Sequence, residues 1–267
     1  MGSFQEEKGM LAIERQEQIV SQIRRNGAVR IHELTKQFSV SVETIRRDLL
    51  ELERQDCLHR VHGGAVGIAV AKQYHRLEER TEENPQKKEE LSGYAAGLIR
   101  ESDVLMVDSG STAIAFAKML AEEFERLTVI TYSLQVFEIL KKKEGFTPYL
   151  CAGAYLRDEN AFCGQWALQM LEQFHAKTAF LFPSAISLQN GIMDYDQELY
   201  HLQRAMMKHA DRSVFLADSD KFEKSALLKL ADVNEAVTFV TDSGLRKEIL
   251  ELYQENGIEM IRGEQKQ

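Results

Sequence analysis

Apolar residues recur with a helical period near the amino terminus of the chain. Within residues 41–55 (SVETIRRDLLELERQ), spacings of three and four place these apolar side chains on one helix face: Val42, Ile45, Leu49 and Leu52. Arg47 and Arg54 project from the opposite side, and Arg46 lies at its flank. The segment is therefore predicted to be a helix that packs against a core on one face and leaves the other face free.

A second, shorter helix is predicted immediately before it. Residues 31–38 (IHELTKQF) carry apolar side chains at a helical spacing, and only residues 39–41 separate the two helices. Ser41 suits the N-cap of the second helix, because its hydroxyl can accept a bond from a free backbone N–H of the next turn. A surface helix with a solvated charged face is the alternative. Helix, tight turn and helix form the geometry that places a second helix in the DNA major groove, which favours a DNA-reading helix.

The residues after this helix predict a β-hairpin. Residues 58–66 (LHRVHGGAV) alternate in polarity and then break at Gly63–Gly64, a pair suited to a tight turn. A hairpin in this place is a wing, and its Arg60 and His62 could reach the phosphate backbone, although plain solvent exposure is also open for His62. A first helix over residues 13–25 would complete a three-helix core. Together these elements predict the following DNA-binding residues: Ser41, Glu43, Thr44, Arg46, Arg47, Arg60 and His62.

These residues resemble the DeoR family of bacterial transcription regulators. The family's winged helix-turn-helix signature, TIRRDL…LE…R.HGGA, is matched with fixed spacing by residues 44–49, by Leu52–Glu53 and by residues 60–65. One position departs, because Asp56 stands where the family usually has a glycine at the end of the recognition helix. The resemblance implies that residues 1–66 form a domain that binds double-stranded DNA.

The composition fits a two-domain globular protein. The 267 residues are 44% hydrophobic and include only three prolines. No apolar run approaches the length of a membrane span, and the first ten residues (MGSFQEEKGM) lack the pattern of a signal peptide, so we expect a cytoplasmic protein without a membrane partner. Three widely spaced cysteines, Cys57, Cys151 and Cys163, are expected to be free thiols, and no metal or cofactor is assigned.

The acidity of the chain lies outside the predicted DNA-binding domain. Residues 1–66 contain ten Lys or Arg and ten Asp or Glu, whereas the whole chain contains 33 and 42 and carries a net charge of −9. A domain without net positive charge attracts DNA only weakly through long-range electrostatics. We therefore expect affinity to depend on the placement of individual arginines and on pairing of two such domains in a homodimer or homotetramer, which implies a partly palindromic operator.

The remainder is predicted to be a linker followed by an α/β domain. Residues 67–86 are largely polar and form the linker. Over residues 87–267, helical patterns alternate with short β-rich runs, which predicts a larger domain with a mostly parallel sheet. The runs are Val104–Val107, Leu127–Thr131, Thr147–Cys151, Thr178–Phe182, Ser213–Ala217 and Ala236–Thr241. Ligands of such sheets bind at the carboxyl ends of the strands.

Several of these strand ends carry groups suited to an anion. Asp108–Thr112 (DSGST) opens a helix, so backbone N–H groups, hydroxyls and the helix dipole converge on a place that favours a phosphate. Simple helix capping by Ser and Thr explains this pentapeptide equally well when it is taken alone. Residues 131–133 add hydroxyls, Gly153 allows close backbone approach to a ligand, and Lys221 supplies a cation.

The resemblance to the DeoR family covers about residues 13–262. The family's sensor domain is similar in fold to ribose-5-phosphate isomerase and the CoA transferases, and its DSGTT, TN, GG and D.SK segments surround a phosphorylated sugar. The resemblance implies these effector-binding residues: Asp108, Ser109, Gly110, Ser111, Thr112, Thr131, Gly153, Asp194, Asp218 and Lys221. Tyr132, Ala152 and Glu223 depart from the family's Asn, Gly and Gly, and the bulk of Tyr132 and charge of Glu223 point to an unusual effector or a partly lost site.

Three functions follow as hypotheses. The favoured one is a repressor of carbohydrate catabolism genes that a phosphorylated sugar releases from its operator, through unequal effector affinities of two dimer geometries. In the second, the C-terminal domain only oligomerises. The third is a sugar-phosphate isomerase-like enzyme in which Asp108, Asp194 and Lys221 act as acid and base groups. The sequence shows no catalytic constellation for that chemistry, so we expect no enzyme.

Overall fold

The structure is a computed structural model that describes residues 11–26, 28–55, 57–61, 63–67, 77–234 and 236–263. These residues form two compact units, the first ending at Gly67 and the second beginning at Leu77. The predicted combination of a small helix-turn-helix domain and a larger α/β domain is confirmed.

Within its described residues, the first unit is a three-helix domain with a small antiparallel sheet. Its elements are α1 (Ala12–Asn26), β1 (Ala28–Arg30), α2 (Ile31–Phe38), α3 (Val42–Arg54), β2 (Leu58–Val61) and β3 (Gly64–Gly67). Strands β2 and β3 form the predicted hairpin, and β1 adds to it in the order β1-β3-β2. The sequence does not predict β1, because three residues are too few to show an alternation. One core joins these elements, with the buried apolar residues Ile19, Ile23, Val29, Leu34, Ile45, Leu49, Leu52, Leu58 and Ala65.

The second unit alternates helices and strands. Its helices are α4 (Leu77–Glu82), α5 (Pro85–Ala96), α6 (Ser111–Glu123), α7 (Leu134–Leu140), α8 (Gly164–Leu171), α9 (Gln197–Lys208) and α10 (Lys247–Glu255). Its strands are β4 (Val104–Val107), β5 (Thr128–Thr131), β6 (Thr147–Leu150), β7 (Ala154–Leu156), β8 (Ala161–Cys163), β9 (Ala176–Leu181), β10 (Ala185–Ser187), β11 (Gly191–Asp194), β12 (Ala210–Leu216), β13 (Leu228–Ala231), β14 (Thr238–Thr241) and β15 (Glu259–Arg262).

A seven-stranded sheet forms the centre of the second unit. Its strand order is β15-β14-β12-β9-β4-β5-β6, and every neighbouring pair is parallel. Successive side chains of a strand point to opposite faces. Leu105 and Val107 of β4 therefore enter a core with Phe116 of α6, whereas Met106 enters the core on the other face with Leu202 of α9. Burial on both faces explains why the strands read as continuous apolar runs.

Smaller elements extend the parallel sheet. Strands β10, β11 and β13 form an antiparallel sheet, and β7 pairs with β8 as a hairpin. The structure also changes the extent of the expected linker at residues 67–86, because α4 and the start of α5 belong to the second unit. Leu77 of α4 is buried, and Arg80 pairs with Glu159, so this polar stretch is part of a folded domain.

Candidate functional site

The first turn of α3 has the cap that the sequence predicts. Ser41 has extended backbone angles, its hydroxyl accepts a hydrogen bond from the Thr44 backbone N–H at 3.1 Å, and its Oγ lies 2.9 Å from Thr44 Oγ1. The cap satisfies one of the free N–H groups at the start of the helix. Ser41 and Thr44 are thus placed at the exposed amino-terminal end of α3, where their hydroxyls contact each other.

The exposed face of α3 carries three of the predicted DNA-binding residues. Glu43, Arg46 and Arg47 are exposed, whereas Ile45 is fully buried. The prediction that Val42 lies on the core face is wrong, because its side chain is 46% exposed. The apolar face of α3 enters the core only from Ile45 onward.

The two arginines of this face differ in their partners. Arg46 Nη1 lies 3.9 Å from Glu43 Oε2, and both side chains are more than half exposed. Arg47 makes no ion pair or hydrogen bond with any described residue. A guanidinium in that state can form bidentate bonds to guanine or to a phosphate without first breaking an internal contact.

The wing arginine is held against the end of the recognition helix. The backbone N–H and Nε of Arg60 each donate to Glu53, both at 2.7 Å. Burial opposes ionisation of Glu53, but the bonds from Arg60 prevail and lower the pKa of this carboxyl. Contact of Arg60 with a DNA phosphate remains a prediction. Such a contact would require the Arg60–Glu53 ion pair to loosen. His62 and Asp56 lie outside the described residues.

In the second unit, the turn between β4 and α6 has the geometry of an anion cradle. Gly110 has a φ of 116°, and a Cβ added to it would meet no atom within 4 Å, so the backbone angle and not crowding requires glycine. Ser111 and Thr112 are each 9% exposed, and their hydroxyls make no hydrogen bond to any described residue. Both residues belong to the first turn of α6, where the N–H groups have no partner within the helix.

Asp108 lies beneath this turn as an acceptor of four bonds. Its Oδ1 accepts from the Ser109 backbone N–H at 2.7 Å and from the Tyr132 hydroxyl. Its Oδ2 accepts from the Phe182 backbone N–H at 3.2 Å and from Gln203 Nε2 at 3.1 Å. Burial raises the pKa of Asp108 to about 6, although the bond from Tyr132 opposes that shift. The fully buried carboxylate thus holds the turn in place through its bond from Ser109.

Gln203 joins two of the predicted site residues and is not itself among the residues predicted from the sequence. Its Nε2 also donates to Asp194 Oδ2 at 2.8 Å, while Ser184 Oγ and the Tyr195 backbone N–H donate to Asp194 Oδ1 at 2.7 and 2.8 Å. Gln203 is 2% exposed, and its Oε1 has no hydrogen-bond partner among the described residues. The sequence feature that could have indicated Gln203 is its position beside Leu202, which places a polar residue on the apolar face of α9.

Thr131 and Gly153 are both packed closely against neighbouring residues. Thr131 is 1% exposed, and its Oγ1 accepts from the Ser133 backbone N–H at 3.1 Å. A Cβ on Gly153 would lie 2.3 Å from the carbonyl oxygen of Cys163 and 3.1 Å from Cβ of Ala167. The space that glycine leaves is therefore filled by β8 and α8, and close approach of a ligand to the Gly153 backbone stays a prediction.

The turn after β12 presents Lys221. Asp218 is 3% exposed and caps this turn by accepting from the Asp220 backbone N–H at 3.0 Å. Burial raises the pKa of Asp218, and the nearby Lys221 cation opposes the rise. Asp242, at the end of β14, holds Ser219 through bonds of 2.6 and 2.9 Å. Lys221 itself is half-buried and makes no ion pair within the described part of the chain.

Lys88 is a buried cation near this turn and is not among the residues predicted from the sequence. It is 5% exposed, and its Nζ donates to the carbonyl of Glu83 at 2.5 Å and to that of Arg80. Burial lowers the pKa of Lys88 to about 8, with Asp218 opposing and Lys221 adding to the shift. The sequence feature that could have indicated the burial of Lys88 is its position three residues before Leu91, which places it on the inner face of α5.

Family models match both units. Residues 15–69 match the DeoR-like helix-turn-helix domain, and residues 83–243 match the DeoR C terminal sensor domain. The chain belongs to the DeoR family. The prediction of the family is confirmed, and so is that of a transcription regulator rather than an enzyme, because the relatives described next are transcription regulators.

This DeoR-family protein is similar to curated relatives over nearly the whole length of each relative. Transcriptional repressor AccR of Agrobacterium fabrum is 35% identical over 87% of the chain and 90% of the relative. The uncharacterized HTH-type transcriptional regulator YulB of Bacillus subtilis is 33% identical over 88% and 91%. The L-fucose operon activator of Haemophilus influenzae is 31% identical over 86% and 92%. The family thus includes both repressors and activators.

Solved structures show a more distant likeness. Ribose 5-phosphate isomerase A of Methanocaldococcus jannaschii is 16% identical, with a TM-score of 0.39 over 52% of this chain and 55% of that one.

No described helix of the DeoR-family chain has the length and apolar character needed to cross a membrane. Across the described ranges, no cluster of three or more His, Cys, Asp or Glu side chains could hold a metal ion.

Two of the positions at which this DeoR-family protein departs from its family, Tyr132 and Glu223, have internal partners. Tyr132 is fully buried and bonds to Asp108. Glu223 has a φ of 54°, a left-handed angle at which glycine is favoured, and its Oε1 accepts from the Tyr253 hydroxyl at 2.7 Å. The added charge of Glu223 is therefore engaged by Tyr253. Ala152 is exposed.

Proposed function

We propose that this protein represses carbohydrate catabolism genes and is released from its operator when a phosphorylated sugar binds the second unit. The observation that carries the proposal is the placement of a turn rich in amides and hydroxyls at Ser109–Thr112 and of the Lys221 cation, which has no ion pair among the described residues, on the same edge of the sheet. A relative named as the activator of an L-fucose operon supports a role in sugar metabolism, and a relative named as a transcriptional repressor supports repression.

The sheet sets the distance between these two groups. The cradle follows β4 and Lys221 follows β12, and only β9 lies between those strands. Two strand spacings are about 10 Å, which suits a sugar with a phosphate at one end. The phosphate would accept bonds from the α6 amino terminus, while the buried carboxylates of Asp108 and Asp194 disfavour a second anion nearby.

Helix α4 offers a route from effector to DNA-binding unit. It is the first described element of the second unit, and Arg80 and Glu83 fasten it through their carbonyls to Lys88. Lys88 in turn interacts with Asp218 and Lys221. An effector phosphate at Lys221 would change the electrostatic surroundings of Lys88 and thereby the hold on α4. Effector binding can change DNA affinity only through such a difference between two states.

DNA binding is assigned to the amino-terminal half of α3 in a homodimer or homotetramer. We expect Arg47→Ala to weaken binding to an operator selected from random duplexes by at least about fivefold, because a bidentate arginine–base pair contributes about 1–3 kcal/mol. Arg54→Ala is the matched control, since Arg54 is exposed on the same helix two turns later. Equal losses in both variants would contradict the assignment.

A thermal-shift screen of sugar phosphates tests the sensor. A ligand at one hundred times its dissociation constant stabilises the folded state by about 2.7 kcal/mol. Lys221→Ala should keep operator affinity and lose both the thermal shift and effector-induced release, whereas Lys224→Ala should keep all three. No shift with any sugar phosphate would favour a C-terminal domain that only oligomerises. A reporter gene behind the selected operator distinguishes repression from activation, and we expect repression in the bacterial cytoplasm.

A further inference from the structure

Val42 is an exposed apolar side chain at the first position of the recognition helix. It is 46% exposed, whereas Ile45, one turn later, is fully buried. Elsewhere in the described part of the first unit, large apolar side chains are this exposed only at Leu11 and Ile13, near the start of α1.

The fold gives no reason for valine at this position. The side chain adds little to the core, and a β-branched residue is a weaker helix former than most polar alternatives. A single exposed apolar residue is common on protein surfaces and by itself indicates no function. The location of Val42 is different, because the amino-terminal residues of a recognition helix are those that meet base edges in the major groove.

The neighbours of Val42 are polar and already contact one another. Ser41 and Thr44 share a hydrogen bond, and Glu43 faces Arg46. Val42 is therefore the wholly apolar side chain that this end of α3 offers to DNA. In the major groove, the C5-methyl group of thymine is the apolar feature of the base edges.

We propose that Val42 is a specificity-determining residue that contacts the methyl group of a thymine in the operator. The proposal rests on DNA binding by α3, which the DeoR-like helix-turn-helix match supports. It assigns to Val42 a base preference that an arginine cannot supply, since guanidinium groups favour guanine.

The test uses the full-length protein and the duplex that it selects most strongly from a random pool. Each thymine of that duplex is replaced in turn by deoxyuridine, which removes only the methyl group. For the wild type, replacement of one thymine in a half-site should raise the dissociation constant about fourfold, the effect of losing about 0.8 kcal/mol of apolar burial. In Val42→Ala the penalty at that thymine should vanish, while penalties at other positions persist.

Two further variants make the result decisive. Ile13→Ala removes another exposed apolar side chain, at 69% exposure, and should keep the wild-type uracil profile. Val42→Ser lacks both γ-methyl groups and suits the first turn of a helix, so it replaces Val42→Ala should the latter lose its circular-dichroism spectrum. An unchanged penalty at every thymine in the Val42 variants, or a wild type indifferent to every replacement, would overturn the proposal. Failure of DNA binding itself would appear earlier, because the wild type would select no duplex.

Discussion

The guanidinium of Arg15 forms a buried ion pair with the carboxylate of Asp48, with Nε 2.5 Å from Oδ2 and Nη2 3.2 Å from Oδ1. Asp48 directly follows the exposed Arg46 and Arg47, yet it is 4% exposed and lies on the core side of α3. Gln16 donates a further bond to it at 3.2 Å. The acidic residue of this arginine-rich stretch therefore fastens the recognition helix to α1.

Asp48→Ala should destabilise the first unit. It leaves Arg15, which is 6% exposed, without its carboxylate partner, and breaking a buried pair in this way costs about 3–5 kcal/mol. Hydrogen exchange of backbone amides in α1 and α3, read by mass spectrometry, measures the loss. Glu51→Ala is the control, because its pair with Arg54 is exposed at 3.7 Å and contributes at most about 1 kcal/mol. Equal protection in both variants would show that the Arg15 pair does not stabilise the unit.

Local patterns in the sequence predict those parts of the fold that depend on neighbouring residues. The bounds of α2 and the cap at Ser41 agree with the prediction, because periodicity and capping are set within a few residues. The strands before Asp108 and Asp218 also lie where expected, since burial on both faces leaves an apolar run. The edge of the sheet that gathers the candidate effector residues could therefore be predicted.

Contacts between distant residues could not be predicted in this way. Arg80 reaches Glu159, 79 positions later, and this contact turns part of the expected linker into α4. Gln203 bonds to Asp108 across 95 positions. Val42 has the spacing of a core residue, but whether a first-turn side chain is covered depends on how far the partner helices extend. The sequence pattern carries none of this information.

Gly153→Ala should destabilise the second unit through packing. The added Cβ would lie 2.3 Å from the Cys163 carbonyl oxygen, so β8 or α8 must shift, at a cost of about 1–3 kcal/mol. Urea unfolding of the full chain measures the change. Gly93→Ala is the control with the opposite sign, because Gly93 lies inside α5 with no atom within 4 Å of its added Cβ, and alanine there should stabilise by about 0.5–1 kcal/mol. A neutral Gly153→Ala would show that the backbone at this turn yields easily.

Asp108→Asn should remove one component of the pH dependence of stability. Burial raises the pKa of Asp108 from its ordinary value of 3.8 to about 6, so between these values the folded state binds more protons than the unfolded state. The contribution of Asp108 to the free energy of unfolding of the wild type therefore falls by about 3 kcal/mol as pH rises from about 4 to about 6. Above pH 6 this contribution stays constant. The Asn variant should lack that fall.

The comparison requires urea unfolding of wild type and Asp108→Asn at several pH values across this range. Asp232→Asn, at an exposed carboxyl paired with Lys229, should follow the wild-type curve. Other carboxyl groups contribute equally to wild type and variant, so the difference between the two curves isolates Asp108. Parallel curves would mean that Asp108 ionises in the folded state as easily as in the unfolded chain.

Tyr132→Phe should extend the same effect to higher pH. The Tyr132 hydroxyl donates to Asp108 and lowers the pKa of this carboxyl against the larger effect of burial. Without that donor the pKa of Asp108 should rise above about 6, and the fall in stability should continue through higher pH. Loss of a bond to a charged acceptor should also cost about 1.5–3 kcal/mol above that range. Tyr155→Phe is the control: it loses an exposed bond to Asn160 and should keep the wild-type curve of stability against pH. If the fall in stability of Tyr132→Phe ends at the same pH as that of the wild type, burial alone sets the pKa of Asp108.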